Sequence, residues 1–483
     1  MAEILFDRAV RRDRATVAAL VAGFGTLLGA AAVVSPAWSL AVAVGLIFVA
    51  VTFVDLAAGL ALFTILTFFE RVPGFASSGL TLVKVAGIVL AAAWLLAVLN
   101  RDRRAPLLFR DHPLLAYAAL LFLGWAASSL LWAEDGEAAR FSLFRLAQTV
   151  LFLFIAYTAI SERRHVLWVV GAFVAGAFLS AVLGLAGASE PDRVDLTTTT
   201  RLTGGIEDPN ELAAIIVPAL AFAAFALGAI RAPFVRWMLL SSVAVFAVAL
   251  FMTQSRGGIV ALGATFLAAI FLSGRFRPRA LALVLVVSAL GVSYYTLVAP
   301  PESIERISQF TSDGGTGRTD LWSVAVEMAK DNPILGVGVS NFEEVEPRYA
   351  ASSVNLERVE FVVDNPKVAH STYLEVLAEL GAIGLAAFAA VVLGPLVLAA
   401  RAVRAFAQAR DGEMEALARG FLVGILGMLA AFVFISAQYE KQLWLLLAVA
   451  AALLTVARRS AAVEETAPTG PQSPRPVPGA TRA

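Results

Sequence analysis

The chain reads as an all-α polytopic membrane protein with about 12–14 transmembrane helices, and three observations carry that reading. First, 59% of its 483 residues are hydrophobic and 15% charged, far from the balance of a soluble domain. Second, apolar stretches suited to a bilayer crossing recur near 15–34, 37–53, 55–69, 79–99, 113–132, 141–160, 166–187, 210–230, 236–253, 256–273, 280–298, 373–400, 416–436 and 440–457. Third, arginine clusters fall in every second loop. The net charge of +0 carries no information about partners, because placement of charge matters here and its sum does not. The absence of cysteine excludes disulfides, thiolate metal ligation and a cysteine nucleophile.

The first span follows Arg8, Arg11, Arg12 and Arg14 and precedes the small residues Ala30 to Ala32, as a signal peptide would. Its length and the charged run ahead of it predict a retained helix. The pair at 37–69 is short and barely separated by Asp55, so two tight helices or a broken hairpin are open, and both leave the later orientation unchanged. Loops bearing Arg101/Arg103/Arg104/Arg110, Arg163/Arg164, Arg231/Arg236, Arg275/Arg277/Arg279, Arg401/Arg404/Arg410 and Arg458/Arg459 share one side with the N-terminal arginines. By the positive-inside rule that side is the cytoplasm, and both termini lie there. The intervening loops are short and acidic or neutral, as at Ala133 to Glu137. The expected organisation is a cytoplasmic tail at 1–14, helices over 15–298, an external domain at 299–372, helices over 373–457 and a disordered cytoplasmic tail at 458–483, rich in proline.

The external segment is too long for a connector and is expected to be functional. Within it, Thr319 to Lys330 places Leu321, Val324, Ala325 and Met328 on one helical face. Asp331-Asn332-Pro333 stops that helix, and Gly336-Val337-Gly338 follows as a turn. His370 closes the segment. His112 and His165 fall in arginine-bearing loops, so His370 is the histidine expected on the outer side and the first candidate for chemistry.

Basic residues at the outer face break the charge rule: Lys84, Arg145, Arg201 and Arg256. A cation at depth in hydrocarbon costs about 2 kcal/mol or more and is normally paired or functional. Snorkelling or internal pairing accounts for Lys84 and Arg145. Arg256 lies beside Gly257-Gly258, where backbones approach closely, and no carboxylate flanks it in sequence, which favours an anionic ligand such as phosphate. Other residues carry structural readings. Thr372 and Glu375 fit a capping box, with Glu379 an ordinary acid of the first turns. Asp208-Pro209-Asn210 reads as a turn and helix start, functional only if Asn210 faces the arginines. Arg318 either anchors the loop helix or meets a ligand. Glu207/Asp208 and Glu343/Glu344/Glu346 read as solvated rather than as a divalent-ion cage, so no metal and no cofactor is predicted. Trp322 and Met328 read as packing residues rather than sugar platforms.

Four motifs in order carry a resemblance: R-x-x-G-x-x-x-D-P-N (Arg201 to Asn210), S-R-G-G (Ser255 to Gly258), G-R-T-D-L-W with N-P-I-L-G-V-G-V-S-N-F (Gly317 to Phe342), and H-S-T-Y-L-E-V-L-A-E-L-G-A-I-G-L (His370 to Leu385). Together they resemble the O-antigen ligase and polymerase family. The resemblance implies a bacterial inner-membrane glycosyltransferase, its site facing outward, that takes a glycan from undecaprenyl diphosphate. Ligases of the family join it to the lipid A core and polymerases to another lipid-linked repeat. The resemblance further assigns Arg201 and Arg256 to the lipid diphosphate, with Arg318 in the position of the family's loop arginine, and His370 to acceptor activation. Ser371 stands where the family's asparagine usually follows the histidine.

The chemistry follows without the name. Expelling a diphosphate from an anomeric carbon needs a metal or fixed cations against the developing charge. Activating an acceptor hydroxyl near neutral pH suits histidine. The expected reaction is a metal-independent, inverting transfer within the lipid bilayer, with no nucleic acid involved. A lipid-linked glycan flippase or other polysaccharide transporter is the alternative class, and would show paired halves with ionisable groups near the bilayer midplane. An inactive relative that only binds lipid-linked glycan is a third.

Overall fold

A computed structural model describes residues 36–70, 81–100, 106–187, 192–193, 200–206, 208–301, 303–304, 318–352 and 367–466, with isolated positions between 23 and 29. Most of the expected first span at 15–34, and the tail beyond Thr466, lie outside the described residues.

Among the described residues the chain is helical apart from one short antiparallel ladder, in which Asp192–Arg193 (β1) pairs with Thr200–Arg201 (β2). The helices are α1 (Pro36–Val54), α2 (Leu56–Leu66), α3 (Leu82–Leu99), α4 (Pro113–Ser128), α5 (Gly136–Ala159), α6 (Arg163–Leu185), α7 (Pro209–Ala229), α8 (Pro233–Met252), α9 (Arg256–Leu272) and α10 (Arg277–Leu297). They continue with α11 (Arg318–Asp331), α12 (Phe342–Ser352), α13 (Thr372–Gln408), α14 (Gly412–Ala431) and α15 (Lys441–Thr466). Ten are long and apolar enough to cross a membrane, while α2, α9 and the described part of α1 are apolar but shorter. The chain is thus a multi-pass membrane protein.

The expected spans match these helices with instructive shifts. Asp55 separates α1 from α2 as two helices, its carboxylate accepting from the amides of Ala57 at 2.9 Å and Ala58 at 3.3 Å. The helix expected at 416–436 ends at Ala431, and the apolar residues after it form a turn. The last helix continues through Thr466, past the boundary expected at 458.

Burial follows hydrophobicity around each helix. Every residue from Gln442 to Ala457 in α15 and from Leu212 to Ala223 in α7 is buried, as expected for helices apolar on all sides. Phe222 and Phe421 stack at 4.4 Å between α7 and α14. By contrast α10 buries only Ala280, Val287 and Gly291 and lies at the margin.

The loops sort into two ends. At one, Arg163 pairs with Asp411 at 3.0 Å and with Glu413, Arg275 pairs with buried Glu415 at 2.6 Å, and Arg279 donates to the Gly228 carbonyl at 2.9 Å. At the other, Arg348 pairs with Glu134, Lys441 pairs with Glu70 at 2.6 Å, and the Asn341 side chain accepts from Asp135 N at 2.7 Å. Here α11, α12 and the start of α13 enclose a separate small core. The face foreseen on α11, Leu321, Val324, Ala325 and Met328, is at most 1% exposed. Each large member contributes about 1.5–3 kcal/mol by leaving water.

Candidate functional site

Arg201 ends β2 with 6% of its surface exposed, and a guanidinium so placed must be hydrogen-bonded. Its Nε donates to the Thr253 carbonyl at 3.0 Å and its Nη2 to Asn210 Oδ1 at 3.0 Å. The same amide oxygen accepts from Ser255 Oγ at 2.9 Å. Asn210 therefore faces the arginines and ties Arg201 to the start of α9. Asp208 caps α7 by accepting from the amides of Asn210 at 2.6 Å and Glu211 at 3.1 Å. Ser255 caps α9 through Gly258 N at 3.0 Å, after a left-handed turn at Gln254 with φ 50°.

Arg256 opens α9, half-buried. The glycines after it are required by contact: a Cβ on Gly257 would come 2.9 Å from Phe434 Cβ, and one on Gly258 2.7 Å from Ala213 Cβ. A larger residue at either position would push the start of α9 away from Arg201.

His370 occupies a left-handed turn, φ 47°, rare for a residue with a side chain. What holds this turn is the segment after α14. The Thr372 amide donates to the carbonyls of Phe432 at 2.9 Å and Ile435 at 2.8 Å, and its hydroxyl donates to Ile435 O at 2.7 Å. Buried Glu375 accepts from Ala369 N at 3.2 Å, from Gln438 Nε2 at 2.6 Å and from Ser436 Oγ. The capping box expected of Thr372 and Glu375 is therefore absent. Ser371 is the N-cap, and the Glu375 carboxylate clamps Ala369 to the 436–438 turn on either side of the histidine.

The imidazole is half-buried, and its pKa falls to about 4, first through desolvation and then through the positive charge of Arg318. Asp208 opposes that shift and Lys367 adds to it. These interactions put Arg318, Asp208 and Lys367 around His370. Asp208 also caps the helix whose Asn210 holds Arg201, which links the surroundings of the histidine to that arginine. Trp322 of α11 packs on Phe434 at 5.9 Å between ring centres, and Phe434 lies against Gly257, which closes the circuit between α11, the 432–438 turn and α9.

A second device sets the base of the site. At Gly381, φ 65°, the helix α13 breaks, and its loosened carbonyls are met from outside. Val337 N donates to Ala378 O at 2.9 Å, Gly338 N to Glu379 O at 2.8 Å, and Trp125 Nε1 to Leu380 O at 2.8 Å. A Cβ on Gly336 would stand 2.3 Å from the Glu379 backbone, and one on Gly381 2.2 Å from Ile334 O. The N-P-I-L-G-V-G-V-S-N run is thus the piece that docks into the break. Glu379 is no ordinary first-turn acid, since it is buried and accepts from Phe342 N at 3.4 Å.

The remaining sequence candidates divide. Arg318 is the first residue of α11 and acts on His370 electrostatically. Ser371 is buried beside it. Arg145 sits 4.9 Å above the Tyr439 ring, next to the turn that clamps His370. Lys84 is exposed on the first turn of α3, and no described contact links it to Arg201, Arg256 or His370. Glu346, expected in water, is fully buried, accepts from Lys367 N at 3.3 Å, and has its pKa raised to about 7 mainly by burial. Met328 packs in the small core as expected. Sequence reasoning missed Glu375, Ser436 and Gln438 as the clamp, because the turn at 432–438 is as apolar as the span it follows.

Fold and site together define a multi-pass helical membrane protein with a group of buried polar residues, Arg201, Ser255, Ser371 and Glu375 among them, at the end of the bundle opposite its arginine-rich loops. Residues 241–389 match the family model described as O-antigen ligase, which supports the resemblance carried by the motifs that fall within that stretch. Comparison with curated proteins gives no match. Such a domain implies ligase- or polymerase-type glycosyl transfer in a membrane. Ser255 to Gly258, Arg318 and His370 fall inside the match, and Arg201 to Asn210 precede it.

Proposed function

We propose that this protein transfers a glycan from undecaprenyl diphosphate to an acceptor hydroxyl, either on the lipid A core or on another lipid-linked repeat, at the outer face of the bacterial inner membrane. The observation that supports this most is Asn210, whose side-chain oxygen accepts from both Arg201 and Ser255, the residue before Arg256, and so ties the first arginine to the helix start that carries the second. Three helices, α7, α9 and α13, begin around this point, and helix N-termini favour anions. With Arg201, Arg256 and Arg318 they form a fixed positive seat for a diphosphate.

In the reaction, neutral His370 takes the proton of the acceptor hydroxyl as its oxygen attacks the anomeric carbon. The bond from that carbon to the diphosphate oxygen breaks, its electron pair leaves with the diphosphate, and the arginines meet the new charge. Attack opposite the leaving group inverts the anomeric centre. The pKa near 4 keeps His370 neutral at physiological pH. Diphosphate bound beside it offsets the charge of Arg318 and raises its basicity when the donor is in place.

The test is transfer by purified protein given undecaprenyl diphosphate glycan, a chelator and either lipid A core or a second lipid-linked repeat. Product on lipid A core alone identifies a ligase, and a lengthened lipid-linked chain identifies a polymerase. Movement of lipid-linked glycan across a vesicle membrane with no acceptor glycosylated overturns the enzyme reading.

A further inference from the structure

The arginine-rich end of the bundle holds a cavity remote from the site above. It measures about 410 Å³, within the size range of ligand pockets, and lies between the halves of α7, α8, α9 and α10 that approach this end. Its wall is apolar, with Phe225, Phe266, Phe276 and Leu283 among the lining side chains, and two guanidiniums, Arg236 and Arg279, complete it. The lining contains no carboxylate. Arg279 reaches across to the Gly228 carbonyl at 2.9 Å, while Arg236 is exposed and its side chain makes no ion pair or hydrogen bond among the described residues. Phe234 and Trp237, beside Arg236, are 74% and 72% exposed, which is where interfacial aromatics belong in a bilayer.

This combination differs from that of Arg163 and Arg275 at the same end. Arg163 and Arg275 are matched by carboxylates. Arg236 and Arg279 instead share an apolar cavity, and two like charges on one wall call for an anion. The marginal packing of α10, which forms one side, leaves a space there that no protein side chain fills. We infer that it is a binding site for an anionic phospholipid, with the phosphate on Arg236 and Arg279 and an acyl chain between α7 and α10. Charge complementarity selects the headgroup and the apolar wall selects the chain. The bound lipid takes the place of missing helix–helix contact and braces α10 against the bundle.

The test is native mass spectrometry on detergent-purified, delipidated protein offered phosphatidylglycerol, phosphatidylcholine or undecaprenyl phosphate. Phosphatidylglycerol is expected to be retained in preference to phosphatidylcholine. Arg236→Ala, at an exposed position with no internal bond to lose, and Arg236→Ala/Arg279→Ala should reduce that retention, the pair by on the order of 10- to 30-fold. Ala224→Phe, which fills the cavity and spares both charges, should also reduce it. Equal retention of the two phospholipids, retention unchanged in the Arg236→Ala/Arg279→Ala variant, or displacement of phosphatidylglycerol by undecaprenyl phosphate would each overturn the proposal, the last by making the cavity a seat for the carrier's tail. Glycan transfer does not enter the readout, so the result stands apart from the catalytic reading.

Discussion

The two ends of the bundle treat arginine differently. At the arginine-rich end, away from the Arg236/Arg279 cavity, three arginines meet acids directly: Arg163 with Asp411 and Glu413, Arg275 and Arg419 with Glu415. At the other end such pairs lie on the rim, as with Arg348 and Glu134, while buried Arg201 in the middle has a carbonyl and an amide oxygen as its described partners. The first arrangement locks loops together, and the second fixes a buried guanidinium between the starts of two helices, α7 and α9.

Substituting one arginine at each end breaks that comparison most sharply. Arg201→Ala removes a buried hub, and transfer in the reconstituted assay should fall by roughly 10²–10³-fold, the scale of losing one fixed stabiliser of leaving-group charge. Arg163→Ala severs partly exposed pairs, should cost about 1 kcal/mol or less of thermal stability, and should leave transfer near wild type. Equal losses from both would mean that Arg201 is only structural. Next in size is Gly381→Ala. A side chain there meets Ile334 O in a left-handed backbone, so limited proteolysis should show the 331–352 segment released from α13. An unchanged cleavage pattern would contradict the docking described above.

Arg318→Ala sharpens the electrostatic part. The Arg318 charge disfavours the imidazolium, so its removal raises the His370 pKa from about 4. The base is then protonated at a higher pH, and the acid limb of the kcat/KM profile should move upward. A limb that moves down or stays fixed would separate Arg318 from His370.

A pH-dependent effect on stability, without one on the chemistry, is expected at Glu346, whose folded pKa of about 7 stands above the ordinary carboxylate value because it is buried. Its contribution to stability is full below the unfolded pKa and is lost as pH rises through about 7. Glu346→Gln keeps the neutral form, so it should match wild type near pH 4 and exceed it by up to about 3 kcal/mol near pH 8. Thermal unfolding at the two pH values checks this.

Most of the membrane architecture was legible because lipid imposes a strong rule: apolar residues of sufficient length form helices, and arginine marks alternate loops. The face of α11 was legible from its period. Asn210 was foreseen only conditionally, since a sequence shows a helix start but not which way its amide points. The clamp on His370 was hidden for a different reason. Phe432 to Ile435 have the hydropathy of a span, and their departure from α14 is dictated by Thr372, distant in sequence, taking their carbonyls. The Gly381 break likewise depends on a loop that sequence spacing does not bring near.

The central claim is that the arginine cluster and His370 form one site with divided labour, and a single variant examined two ways tests it most directly. Donor binding and single-turnover transfer should be measured for wild type and His370→Ala at neutral pH. The account predicts near-normal binding of the polyprenyl diphosphate donor with transfer reduced by about 10²–10⁴-fold, the range for losing a general base. Transfer at the wild-type rate, or loss of donor binding with the chemistry intact, would contradict it.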